Sequence, residues 1–88
     1  MNEERIPLSA LAPGEVGVMR QLAGGRGFVS RLAALGFTPG TEVTMVQNFG
    51  HGPIIVLVRD TRIALGRGEA GKVQVKRMLN EPRRQGTK

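Results

Sequence analysis

The chain contains no cysteine, no tryptophan and no tyrosine, and only three phenylalanines in 88 residues. Without cysteine there are no disulfide staples and no thiolate metal sites. With Phe28, Phe37 and Phe49 as the only aromatics, base-stacking platforms and an aromatic groove for proline-rich peptides are both nearly excluded. Long hydrophobic runs are missing as well. The longest, residues 54–58, is far below the roughly 18 residues a membrane span needs. The start, MNEERIPLSALAPG, has neither a basic n-region nor an apolar h-region, so no secretory signal is expected and the cytoplasm is the default compartment.

What is present is glycine, with 13 residues, and five prolines, set singly or in pairs between apolar runs. That spacing predicts a small, turn-rich β domain with room for one core. The net charge of +6 is unevenly placed. Residues 1–75 hold eight Lys/Arg against six Asp/Glu, whereas residues 76–88 hold five against one. Most of the basic excess is therefore C-terminal, and residues 77–88 are expected to be a disordered tail, as residues 1–6 are expected to be a flexible start.

Helical periodicity and a complete stop signal coincide once, in residues 28–40, FVSRLAALGFTPG. Phe28, Leu32 and Leu35 fall on one helical face, widened by Val29 and Ala33. Gly36 stands where a left-handed residue is needed after the helix, and Phe37 follows in position to pack back on Leu32. Pro39-Gly40 then forbids continuation. A helix this short is marginal in water and must dock its apolar face.

Elsewhere the pattern is strand and turn. Leu8 and Leu11 predict one apolar turn that lids the core. Residues 15–22 predict a strand with Val16, Val18 and Leu22 on one face and Arg20 as the exception. Residues 41–49 predict a half-buried strand with Val43, Met45 and Phe49 together. Residues 54–59 predict the most buried strand, followed by a two-residue loop at Asp60-Thr61 and a return strand over 62–65. A loop over 66–71, with a single helical turn at Glu69-Ala70, leads to a last strand over 73–75. About five short strands and one helix after the first fit a small β-barrel.

The residues Leu11-x-Pro13-Gly14-Glu15, Arg31-Leu32-x-x-Leu35-Gly36-Phe37-x-Pro39-Gly40-Thr41-x-Val43, Gly52-Pro53-Ile54, Ile63-Ala64-Leu65, Ala70 and Val73-x-Val75 together resemble the FeoA family. The resemblance covers about residues 7–76, which are taken as the domain. It implies a mainly β fold, a small SH3-like β-barrel with a short α-helix inserted after the first strand. It also implies a cytoplasmic accessory role in bacterial ferrous-iron uptake, assisting the membrane GTP-hydrolysing transporter FeoB at the inner face of the membrane. Related domains close metal-dependent repressors, and 88 residues are expected to leave no room for a DNA-binding half.

Individual motifs add little chemistry. Gly66-x-x-x-x-Gly71-Lys72 matches a phosphate loop except that Val73 replaces the magnesium-binding Ser/Thr, and a strand rather than a helix follows. Gly25-Arg26-Gly27-x-x-Ser30 reads as a flexible helix entry. No nucleophile, base and orienter can be assembled, so the chain is read as a non-enzyme without a small-molecule substrate. His51, the single imidazole, lies between glycines and is the candidate for a weak transition-metal (Fe2+) site, although no ligand spacing surrounds it. For protein docking, Arg26, Arg31, Phe49 and His51 are the exposed candidates. Two alternatives stand beside the accessory reading. One is a basic barrel that holds phosphates of a nucleic acid or an anionic leaflet through Arg77, Arg83, Arg84 and Lys88. The other is a metal-sensing domain. Self-association through exposed edge strands is a further expectation.

Overall fold

The computed structural model describes residues 4–78. In chain order they form β1 (Ile6–Pro7), a 3₁₀ turn (Leu8–Ala10), β2 (Val16–Leu22), α1 (Arg26–Ala34), β3 (Glu42–Gln47), β4 (Ile54–Val58), β5 (Thr61–Leu65), α2 (Arg67–Ala70) and β6 (Val73–Arg77). The strands make one antiparallel sheet in the order β1-β6-β2-β3-β4-β5. Its outer edges, β1 and β5, are where strand pairing between copies would have to occur. The sheet takes in Ile6, which pairs with Val75, and Arg77, which pairs with Gly17. Both lie just outside the expected domain bounds of 7–76, and each is placed in the sheet by its partner strand rather than by a local alternation.

The stop signal after α1 behaves as its sequence requires. Gly36 has φ +110°, its N–H donates to Ala33 O at 3.0 Å, and Phe37 N–H donates to Leu32 O at 3.0 Å. This is a Schellman closure, and it turns Phe37 into the core, where it is 1% exposed beside Leu32 at 0%. The helix itself begins two residues earlier than its apolar periodicity indicates, with Gly25 as N-cap. Leu35, predicted on the buried face, is instead 42% exposed: as the C-cap it sits where the chain swings away, and Phe37 takes the inward place. Phe28 is only partly buried, with Lys72 Nζ 5.4 Å above its ring.

β2 reverses its predicted faces. Gly17 and Met19 point inward, while Val16, Val18 and Arg20 are half-buried. A Cβ at Gly17 would lie 2.9 Å from Val75 Cγ2 and 3.2 Å from Leu11 Cδ1, so the inward position has no room for a side chain and leaves no hydropathy mark. A bulge between Met19 and Gln21 then changes phase, and Leu22 packs half-buried against the core.

A second bulge, between Met45 and Gln47, ends the regular part of β3. Val43 and Met45 are buried, but Phe49, predicted on their face, lies beyond the strand and is 69% exposed. In β4, Ile54, Val56 and Val58 are buried, with Ile55 and Leu57 half-covered on the other side. The β4–β5 loop is Arg59-Asp60, not Asp60-Thr61. Val58 pairs with Thr61, and Arg59 and Asp60 take φ +51° and +66°. Two positive φ values make a primed turn, which Asp tolerates far better than a β-branched Thr. Leu8 and Leu11 are both fully buried and close the core as the predicted apolar turn.

Candidate functional site

Two surface features stand out, and β3 separates them. The first surrounds α1. Its N-terminal end meets Lys72, its middle is tied by Arg31 to the Glu69 carboxylate on α2, and its exit at Gly36 abuts Val58 and the Arg59 stem. The other flank of the helix leaves an open groove of about 240 Å³ against β2. Met19 and Leu22 form one wall, Val29 and Ala33 the other, and Phe37 and Pro39 the end. Its surface is almost wholly apolar, and Arg26 stands exposed at the start of the same helix.

Glu69 has two structural duties here. One oxygen accepts the Gly66 N–H at 3.1 Å, forming the N3 half of a capping box, and the other accepts from Arg31. The backbone hydrogen bond, followed by the Arg31 bond, holds its pKa below the ordinary value of 4.5.

The second feature is the β3–β4 loop, residues 48–53. Its base is fixed by Asn48, whose amide nitrogen donates to Ser9 O at 2.9 Å and Leu11 O at 2.8 Å. The amide oxygen of Asn48 accepts from Gly50 N–H at 3.1 Å and from Arg67. Gly50 and Gly52 adopt φ +87° and +72°, with Phe49 just before them and His51 between them, and both side chains are exposed. Phe49 is thus an exposed ring on an anchored base rather than the end of a buried row.

The four predicted docking residues therefore form two pairs, not one patch. Arg26 and Arg31 belong to α1, whereas Phe49 and His51 lie beyond the opposite end of β3. Arg31 is also engaged with Glu69, which sequence spacing did not reveal because the partners are 38 residues apart. Leu22 and Val29 are marked as apolar by the sequence pattern, but that they line a groove with Met19, and that Asn48 staples a loop, depends on partners distant in the chain. Arg77, placed in the basic tail by its neighbours in sequence, is in β6, with Nε 3.2 Å from Glu15 Oε2. Arg83, Arg84 and Lys88 lie outside the described residues.

The phosphate-loop likeness dissolves in three dimensions. Ala70, Gly71 and Lys72 donate their N–H groups to Gly66 O, Arg67 O and Glu69 O, so those amides close α2 instead of facing an anion. Around His51, and among the described residues generally, no group of three or more His, Asp or Glu side chains is arranged to hold a metal ion. The donor set therefore does not fit a resident metal there.

Residues 6–77 match the model of the FeoA domain. The chain belongs to the FeoA family. A protein of Methanocaldococcus jannaschii described as a candidate Fe(2+) transport protein A is 32% identical over 69 residues, covering 78% of this chain and 83% of its own. Among solved structures, an FeoA described as an iron uptake regulatory protein superposes with TM-score 0.79 at 35% identity, covering 85% of this chain and all of its own. The zinc-complexed FeoA of Stenotrophomonas maltophilia, described as a prokaryotic SH3-domain protein, gives TM-score 0.73 at 34% identity over 81% of this chain and 89% of its own. The six-stranded sheet with its short helix is thus the SH3-like FeoA fold, and the family places the chain in ferrous-iron transport. No helix among the described residues is long and apolar enough to cross a membrane.

Proposed function

We propose that this FeoA-family chain is a cytoplasmic accessory module that docks on a FeoB-type GTP-hydrolysing membrane transporter and modulates ferrous-iron uptake without chemistry of its own. The observation that carries this reading is the apolar groove between α1 and β2, with the Arg26 cation at the start of its helical wall. Such a groove suits a segment with an apolar anchor and acidic neighbours, supplied by a larger protein. The Stenotrophomonas maltophilia relative is described as a candidate ferrous iron transport activating factor, which agrees with a modulating role.

Arg26 is the cleaner contact of the two helix arginines, because reversing Arg31 would also set two carboxylates against each other beside Glu69. The test is an amide NMR titration of the labelled chain with the soluble cytoplasmic domain of the transporter. Shifts are expected at residues 19–22, 29, 33 and 37–39, and Arg26→Glu should weaken binding by about five- to tenfold with an unchanged fold. A spectrum that does not move at a stoichiometric excess of that domain would sink the reading. Phe49 and His51, on the other surface, should shift less than the groove.

A further inference from the structure

We propose that the chain associates with itself, the Phe49 ring of one copy seating in the groove between α1 and β2 of another. The contact does not depend on what the transporter binds; only its consequence for docking rests on that reading.

The two surfaces match as knob and hole. Phe49, 69% exposed, is the most exposed large hydrophobic side chain of the described residues. Its support is settled, because the Asn48 amide bonds to the Ser9 and Leu11 carbonyls at the loop base. An aromatic ring carried in this way loses little further freedom when it enters an interface. The groove, of about 240 Å³, is walled chiefly by Met19, Leu22, Val29, Ala33, Phe37 and Pro39 and is almost wholly apolar. An apolar cavity of about 150 Å³ takes up a benzene ring, so this groove has room for one phenyl group.

Geometry makes the insertion one between copies. The groove lies where β2 ends and β3 begins, whereas Phe49 lies where β3 ends. The six residues of β3 hold the two about 20 Å apart. Phe49 therefore cannot reach its own groove.

Charge selects the same pairing. Two copies that each carry +6 repel one another over most of their surfaces. Residues 32–58, however, hold a single charged side chain, Glu42, in a chain that is 23% charged. The Phe49 tip lies wholly within that stretch, and so do Ala33, Phe37 and Pro39 of the groove. The three large hydrophobic side chains left exposed among the described residues, Leu35, Val46 and Phe49, belong to it as well. The cations of the groove are Arg20 in its lining and Arg26 at the start of its helical wall, and residues 48–53 bring no Lys or Arg against them. The negative face of a phenyl ring also suits a neighbouring guanidinium. Each link fills one groove, so a copy that holds a neighbour's Phe49 has no groove left for the transporter. Self-association and docking therefore exclude each other at that site.

A contact made by one ring and one groove is small and weak, half-formed at about 1 mM, which suits amide NMR. Two variants each remove one side of it. Phe49→Ala keeps the groove and lacks the knob, whereas Ala33→Lys keeps the knob and sets a cation in the groove wall. Both positions are exposed, so both variants keep the fold. Isotope-labelled Phe49→Ala is mixed at millimolar concentration with unlabelled Ala33→Lys. Shifts are expected at residues 19–22, 29 and 37–39 of the labelled copy, and the affinity should fall about tenfold when the unlabelled copy is Phe49→Ala instead. Added salt should strengthen this contact, since it screens two cationic copies from each other, and weaken docking on the transporter domain, which uses Arg26. Groove residues that stay still, or that move equally with either unlabelled copy, would overturn the proposal. So would a contact that salt dissolves. Copy-to-copy shifts with no response to the transporter's soluble domain would remove the docking reading alone, and the reverse pattern would remove self-association alone.

Discussion

Arg31 and Glu69 are 38 residues apart in the chain, yet their ion pair joins the middle of α1 to α2 while the same carboxylate caps Gly66. One side chain thus ties the helix to the sheet and closes the turn that leads into β6. Because the pKa of Glu69 is depressed, the sign of its pH dependence is fixed. Its contribution to stability is fully present above the unfolded value of 4.5 and is lost as pH falls through the lower folded value. The thermal midpoint of the wild type should exceed that of Glu69→Gln at neutral pH, and the gap should shrink below about pH 4.5. A gap that stays constant down to strong acid would show that the carboxylate charge contributes nothing.

Leu32 is fully buried and is the residue through which α1 docks, since Leu35 is largely exposed. Leu32→Ala should cost roughly 2 to 5 kcal/mol in chemical denaturation. Leu35→Ala should cost under about 1 kcal/mol despite identical chemistry. Equal losses at the two positions would contradict the observed helix orientation.

Two glycines should resist alanine for different reasons. At Gly36 the backbone stands at φ +110°, and a Cβ would come within 3.1 Å of Val58 Cγ1, so strain and crowding add. At Gly17 the obstacle is packing, with Val75 Cγ2 at 2.9 Å. Each substitution should lower stability by about 1 to 3 kcal/mol. At Gly27, where nothing lies within 4 Å of a Cβ in the first turn of α1, alanine should be neutral or stabilising. Thermal melts of the three variants make the comparison.

Asn48 holds the β3–β4 loop through two carbonyls distant in sequence, and its removal leaves Arg67 without that acceptor. Asn48→Ala should cost about 1 to 3 kcal/mol and speed amide exchange in residues 48–53 more than in β4. Uniform acceleration across the sheet would mean that the loop opens only with the whole fold.

How much of this was legible beforehand depends on the range of the forces involved. The sequence by itself determined the helix in residues 28–40, its glycine-coded stop and the inward turn of Phe37, because periodicity and left-handed backbone are properties of neighbouring residues. It likewise determined the burial of Val43 and Met45 in β3, the apolar run that becomes β4, the apolar lid of Leu8 and Leu11, and, through the series of motifs ending in Val73-x-Val75, the family. Tertiary structure decided the rest. The faces of β2 hinged on a side chain that is not there, since Gly17 lies under Val75. The turn at Arg59-Asp60 was selected by strand register, which moved it one residue from its expected place. The pairing of Arg31 with Glu69, the stapling of Asn48 and the recruitment of Ile6 and Arg77 into the sheet all join residues far apart in the chain. The groove exists only because α1 lies beside β2, and the Phe49 tip is apart from it because the length of β3 intervenes. Local steric and hydropathic preferences write elements into a sequence, whereas surfaces arise from which elements the core brings together.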